Sequence, residues 1–96
     1  MSGAWVDAFL EMMAAERAAS ANTRKAYAKD LEDAETFLSA RGKDLQGASA
    51  EDIEAWFESL GARGLAPSTA ARRRAAIRQF YRFVLTEGWR EDDPSR

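Results

Sequence analysis

Five arginines lie within the twelve residues from Ala71 to Arg82, in a chain whose formal net charge is only −2. Guanidinium groups stay charged and carry five N–H donors, which suits them to carboxylates, phosphates and base edges. They are poor general bases, and the sequence contains no histidine and no cysteine. We therefore expect this segment to bind an anion, and we expect no metal and no cofactor.

Charge is unevenly distributed along the chain. Five acids and no base lie between Asp44 and Glu58, whereas seven arginines and one acid lie between Arg63 and Arg90. A basic segment of this kind can bind an anionic partner even when the whole chain is slightly acidic. The overall charge therefore does not argue against nucleic acid as a partner.

Four helical segments follow from the spacing of the apolar residues. They cover roughly residues 4–18, 22–40, 50–62 and 67–87. Ser49 is a suitable N-cap for the third segment, and Pro67 is acceptable in the first turn of the fourth. No segment alternates with the period of two that is typical of strands. The sequence therefore predicts an all-α fold, a compact four-helix bundle in which residues 1–96 form a single domain.

No apolar run approaches the ~18 residues that a membrane-spanning helix needs. The N-terminal stretch carries an acidic residue where a signal peptide has basic ones, so we expect no targeting segment. Arginine outnumbers lysine eleven to three, which is typical of a GC-rich bacterial coding sequence. These features predict a bacterial cytoplasmic protein with no membrane partner.

The fourth segment carries two stripes on opposite sides of a helix. Its apolar stripe is formed by Ile77, Phe80, Tyr81 and Val84. Its basic stripe, about 12 Å long at ~1.5 Å per residue, is formed by Arg74, Arg78 and Arg82. Arg72 lies farther around the helix, next to Gln79. Arg73 falls within the apolar sector near the start of the helix, so we expect it to be partly exposed.

The basic stripe has three possible counterparts. Residues 66–86 contain no acid that could pair with the arginines at i±4, which favours an external polyanion such as nucleic acid. Ion pairs within or between subunits are the second possibility, since Glu51, Glu54 and Glu58 could lie across from the stripe. An anionic membrane surface is the third, and it is disfavoured because the core needs the apolar face.

The second segment is basic only in its first half. Arg24, Lys25 and Lys29 lie in that half, and the acids that follow are Asp30, Glu32, Asp33 and Glu35. We expect the basic end to approach the anion and the acidic half to stay in solvent. The second and fourth segments also start alike, with hydroxyl side chains and free N–H groups. Either both starts face one polyanion, or two similar helices simply pack on one core.

Several short motifs together resemble a known domain. One set of motifs resembles the start of the N-terminal domain of tyrosine site-specific recombinases, and it consists of Asn22-Thr23, Tyr27, Leu31 and Phe37-Leu38. The end of that domain is similar to Ser68-Thr69, Arg72, Ile77-Arg78, Phe80-Tyr81 and the stretch from Trp89 to Ser95. Xer-type recombinases and phage integrases carry this domain, which is called the core-binding or SAM-like domain.

The resemblance implies a SAM-like orthogonal bundle that clamps one face of duplex DNA. A larger catalytic domain would close the other face, and further recombinase protomers would join in a synaptic complex. The contacts to DNA that the resemblance implies are Thr23, Lys25, Lys29, Ser68, Thr69, Arg72 and Arg78. The charge pattern adds Arg24, Arg73, Arg74 and Arg82 to this candidate set.

The chain is not expected to be an enzyme. The nucleophile of the resembled family is a tyrosine flanked by arginines, a lysine and histidines, whereas Tyr27 and Tyr81 fall on predicted core faces and histidine is absent. A second hypothesis is a helical protein–protein interaction module whose basic helix pairs with acidic surfaces. In that case the first helix would offer a partner surface formed by Trp5, Phe9, Met12 and Met13.

Overall fold

A computed structural model describes residues 3–96, and four α-helices account for most of them. The helices are α1 (Gly3–Glu16), α2 (Ala21–Ala40), α3 (Ala50–Ala62) and α4 (Pro67–Thr86). No β-strand occurs in this part of the chain, and none of its helices is long and apolar enough to cross a membrane. The all-α prediction is confirmed, and the predicted helix bounds are correct to within two residues.

Serine side chains start two of the helices. At the start of α2, Ser20 Oγ accepts the backbone N–H of Thr23 at 3.1 Å. Ser49 caps α3, and the Asp52 carboxylate accepts the N–H of Ser49 at 2.9 Å, which completes a capping box. By contrast, α4 starts at Pro67 without a side-chain cap. The first N–H groups of α4 therefore have no side-chain acceptor.

The apolar faces of all four helices meet in one core. Its largest fully buried side chains include Phe9, Leu31, Leu38, Ile53, Trp56, Leu60, Ile77, Phe80, Tyr81 and Val84. Phe80 lies between two other rings, with its centroid 5.7 Å from Phe9 and 5.1 Å from Tyr81, in edge-on arrangements. The predicted apolar stripe of the fourth helix is therefore confirmed as the side of α4 that faces the core.

The first helix does not offer the partner surface predicted from the sequence. Phe9 and Met13 are 0% and 3% exposed, because α1 covers the core with this side. Met12 is half-buried against the same core. The Trp5 ring stacks on Trp89, with the two centroids 5.5 Å apart. The second hypothesis, in which these four α1 side chains form a partner surface, is therefore wrong at Phe9 and Met13.

The residues that follow α4 fold back onto the bundle. The Trp89 N–H donates to the Val84 carbonyl at 3.0 Å. Arg90 Nη1 donates to the Gln46 carbonyl at 3.1 Å, and its guanidinium lies 5.5 Å from the centroid of the Tyr81 ring. These contacts connect the C-terminal tail to the loop between α2 and α3 and to the second half of α4.

Candidate nucleic-acid interface

The outer side of α4 carries the basic stripe that the sequence predicts. Arg74, Arg78 and Arg82 line one shallow groove together with Arg17, and we call these four side chains the basic face. Arg17, Arg78 and Arg82 are exposed, and Arg74 is half-buried. Among the described residues, none of the four forms an ion pair with a carboxylate. The basic face is therefore free to bind an external anion.

Sequence reasoning alone missed Arg17. This residue follows the end of α1, and its Nη1 donates to Oε1 of Gln79, which is 62 positions away in the chain. Gln79 Nε2 in turn donates to the Tyr27 hydroxyl at 3.0 Å, and the Tyr27 ring is half-buried against the core. Gln79 thus holds Arg17 beside α4, and no local sequence pattern could indicate so distant a contact.

Two further side chains border the basic face. The Arg78 guanidinium lies 5.0 Å from the centroid of the Phe57 ring, a cation–π distance. Phe57 is half-buried, and the exposed part of the ring lies beside this arginine. Arg96, from the C-terminal tail, lines a neighbouring depression together with Arg78 and Arg82. Asp93 lines the same depression, so the tail adds one guanidinium and one carboxylate next to the basic face.

Arg72 turns toward α2 instead of joining the basic face. Its Nε and Nη2 donate to the two carboxylate oxygens of Asp30 at 2.9 and 2.8 Å. The Asp30 side chain is fully buried, whereas 39% of the Arg72 side chain is exposed. The expectation that the acidic half of the second helix stays in solvent is therefore wrong at Asp30, because an arginine from α4 holds this carboxylate.

Asp33 is the second acid that pairs with arginine across the helices. Its carboxylate accepts the Trp56 Nε1–H at 2.9 Å and two N–H groups of Arg63 at 3.0 and 2.8 Å. Arg73 lies between the two acids, with Nη1 3.0 Å from Asp33 and Nε 3.3 Å from Asp30. With 18% of its side chain exposed, Arg73 is partly exposed as predicted.

The acids that pair with α4 are not the ones considered from the sequence. Glu51, Glu54 and Glu58 of α3 are exposed, and they form no ion pair within the described part of the chain. Arg72 and Arg73 pair with α2 instead. Ion pairs within the protein therefore account for two of the five clustered arginines and leave the basic stripe unpaired.

Hydrogen bonds within this network shift the pKa values of its members. The hydrogen bonds from Arg63 hold the pKa of Asp33 below its usual value. The hydrogen bond with Asp33 raises the pKa of Arg63, and the hydrogen bond with Asp30 does the same for the pKa of Arg72. Asp33 and both arginines are therefore charged at neutral pH. No group of acidic side chains within residues 3–96 is arranged to hold a metal ion.

The candidate residues at the start of α2 lie outside the basic face. Arg24 and Lys25 line a separate groove between α1 and α2. Lys29 is exposed, and no carboxylate of the described residues pairs with it. The Thr23 hydroxyl accepts a hydrogen bond from Ser20 Oγ at 3.0 Å. The structure therefore divides the predicted site residues between two surfaces.

The candidate residues at the start of α4 lie on the helix that carries the basic face. Ser68 is exposed and Thr69 is half-buried, and both belong to the first turn. The N-terminus of a helix carries a partial positive charge and N–H groups without intrahelical partners. Because no side chain caps α4, this helix start can accept an anion.

The chain belongs to the family described as phage integrase, N-terminal SAM-like domain, since residues 6–88 match it. This match confirms the resemblance seen in the motifs. The family assignment covers most of α1 and all of α2, α3 and α4.

Curated relatives are similar over almost the whole chain. Tyrosine recombinase XerD of Caulobacter vibrioides is 73% identical over 93 residues, which is 97% of this chain and 30% of the relative. XerD of Rhizobium meliloti is 53% identical over 95 residues, covering 99% and 30%. Tyrosine recombinase XerC of Erythrobacter litoralis is 45% identical over 94 residues, covering 98% and 29%. The chain thus spans under a third of these relatives, and no solved structure matches it significantly.

Proposed function

We propose that this chain is the DNA-binding domain of a tyrosine recombinase or integrase, and that it clamps duplex DNA during site-specific recombination or integration. The basic face carries this proposal, because four arginines without carboxylate partners lie opposite the core side of α4. Family membership supports the same function, since the similar proteins are named tyrosine recombinases. In this proposal residues 1–96 act as one domain.

The dimensions of α4 suit the DNA backbone. An α-helix with its side chains is about 10–12 Å across, and the major groove of B-DNA, about 12 Å wide, admits it. Guanidinium groups bind phosphate oxygens through charge-assisted hydrogen bonds. The first turn of α4, at Ser68 and Thr69, adds backbone N–H groups that favour an anion. We therefore assign the contacts that fix the register on DNA to α4.

The α2 candidates have a supporting role in this proposal. Lys25 and Lys29 are exposed, so each can reach a phosphate beside the one that α4 contacts. Arg24 donates through Nε to a backbone carbonyl at 3.3 Å, which leaves its terminal nitrogens available. Thr23 has a hydroxyl near the helix start. These residues would extend the contact with the backbone without forming part of the basic face.

We further propose that the chain itself is non-catalytic. Tyr81 is buried, its hydroxyl donates to the Leu45 carbonyl at 2.7 Å, and burial raises its pKa. The Tyr27 hydroxyl accepts a hydrogen bond from Gln79. Both tyrosines therefore serve the fold. DNA cleavage and contacts with other protomers would belong to the rest of a longer recombinase. The relatives are bacterial, and the DNA of bacteria lies in the cytoplasm, so the proposal implies a cytoplasmic location.

The proposal predicts that the chain binds a fluorescently labelled duplex with strongly salt-dependent affinity. Each phosphate that a cation neutralises contributes about −0.9 to the slope of log K against log salt. Contacts by three or four arginines of the basic face alone therefore predict a slope of roughly −3 to −4, and phosphate contacts by Lys25 and Lys29 would make it steeper. Fluorescence anisotropy at several salt concentrations, starting at low salt, measures this slope. An affinity that is absent at low salt, or that does not change with salt, would contradict the proposed function.

A further inference from the structure

The buried Asp30 carboxylate is the feature that the basic face leaves unexplained. Asp30 lies in the middle of α2, and its side chain has no exposed surface. A buried carboxylate is costly unless it is paired and hydrogen-bonded. Asp30 meets this condition with a bidentate pair to Arg72, at 2.9 and 2.8 Å, while Arg73 Nε forms an ion pair with the same carboxylate at 3.3 Å without a hydrogen bond. The carboxylate therefore joins α2 to two consecutive arginines of α4.

The bidentate pair leaves part of the Arg72 guanidinium unused. Of its five N–H donors, Asp30 takes the one on Nε and one on Nη2. The remaining three have no hydrogen-bond partner among the described residues, and 39% of the side chain is exposed. A bidentate pair also fixes the plane of the guanidinium. Asp30 therefore holds Arg72 in one orientation with free donors that can reach a ligand.

The same network reduces the positive charge near Arg72. Arg63 and Arg73 are held by carboxylates as well, so three arginines share the two acids Asp30 and Asp33. The cluster thus has a net charge of +1, whereas three unpaired arginines would give +3. If this end of α4 attracted DNA by charge alone, the two acids would oppose binding. If Arg72 instead recognises DNA through a fixed orientation of its guanidinium, the acids favour binding because they hold that orientation.

We propose that Asp30 is a positioning residue for DNA recognition, which holds Arg72 so that its free N–H donors meet a phosphate oxygen or the edge of a guanine. This inference rests on the proposed function and adds a specific role for one buried acid. Arginine suits it, since its planar fork can bind a carboxylate on one edge and an anion or base on another. Asp30 itself does not touch DNA.

The test compares two substitutions that change the charge equally. Asp30→Asn keeps the shape of the side chain, removes one negative charge and replaces an acceptor oxygen with a donor. Glu32→Gln removes one negative charge from an exposed side chain of the same helix. If only charge matters, both variants bind duplex DNA at least as tightly as the wild type. Positioning predicts that Asp30→Asn binds at least about fivefold more weakly than Glu32→Gln, the loss expected for about 1 kcal/mol.

A double-mutant cycle separates positioning from a general loss of stability. Arg72→Lys keeps the charge but cannot form the planar bidentate pair, so we expect it to weaken binding by about the same factor as Asp30→Asn. In the Arg72→Lys background, Asp30→Asn should have no further effect relative to Glu32→Gln. All variants are measured well below their thermal midpoints, which circular dichroism provides. If Asp30→Asn does not fold, Asp30→Glu takes its place, because it keeps the charge but displaces the carboxylate from Arg72; positioning predicts that it too binds less tightly than the wild type, and equal binding would overturn the role of Asp30.

The outcomes distinguish this inference from the proposed function. Failure of the wild-type chain to bind duplex DNA would overturn both. If the wild type binds and Arg72→Lys binds equally tightly, only the positioning role is overturned. The positioning role is also overturned if Asp30→Asn and Glu32→Gln bind duplex DNA with the same affinity. Weaker binding by both Asp30→Asn and Arg72→Lys, without additivity in the double variant, supports the role of Asp30.

Discussion

Replacing Arg74, Arg78 and Arg82 together with alanine is expected to weaken binding to duplex DNA on the order of a hundredfold. Each exposed contact between an arginine and a phosphate is worth about 1 kcal/mol, and three such losses give that factor. The thermal midpoint should change by only a few degrees, since none of the three forms an ion pair in the described structure. Alanine is also a better helix former than arginine. Anisotropy and circular dichroism measure the two effects.

The salt dependence of binding by this triple variant measures how many phosphate contacts are lost. Loss of three phosphate contacts should make the slope of log K against log salt shallower by about 2.7. A charge-matched control carries Thr36→Glu, Ser39→Glu and Ala50→Glu, which add three negative charges on exposed side chains outside the basic face. The control should bind far more tightly than the triple alanine variant. Equal binding by the two variants would mean that only net charge matters, and the assignment of the interface to α4 would be wrong.

Phe80→Ala is expected to have the largest effect on stability, a loss of about 3 to 5 kcal/mol in the free energy of unfolding. Phe80 is fully buried between Phe9 and Tyr81, so the substitution leaves a cavity at the centre of the core. In a domain of this size the thermal midpoint should fall by more than about 12 °C. Thermal unfolding followed by far-UV circular dichroism measures this change.

Arg82→Ala is the matched control for Phe80→Ala. Arg82 lies two positions further along the same helix and is exposed, so its substitution should leave the thermal midpoint almost unchanged. At a temperature where both variants are folded, Phe80→Ala should bind DNA nearly as well as the wild type, and Arg82→Ala should bind less well. A similar loss of stability in both variants would contradict the assignment of the core side of α4 to stability and of its outer side to DNA binding.

The helices could be predicted from the sequence because local patterns define them. The spacing of Ile77, Phe80 and Val84 identifies the core side of α4 without knowledge of its neighbours, and the structure buries all three. The third helix was predicted with its observed bounds because Ser49 is a strong cap at its start. The unpaired basic stripe follows from the same periodicity, since it is the opposite side of the same helix.

The ion pairs of Arg72 and Arg73 could not be predicted in this way. Asp30 belongs to a run of acids that looks like a solvated helix surface, and its partner Arg72 is 42 positions away. The absence of acids near the arginines along α4 favoured an external anion for all of them, although α2 supplies acids for two. Arg17 was missed for the same reason, because its place beside Gln79 depends on how α1 packs against α4.

The position of duplex DNA on the basic face of α4 can be measured by NMR spectroscopy of the isotope-labelled chain titrated with an unlabelled duplex. If DNA lies on the basic face, the largest changes occur in the side-chain N–H signals of Arg74, Arg78 and Arg82 and in the backbone amides of the first turn of α4. The amides of Glu51 and Glu54, which are exposed acids in the first part of α3, should be nearly unaffected. Changes concentrated on α3 or in the groove between α1 and α2, with the three arginine signals unmoved, would contradict this position of the DNA.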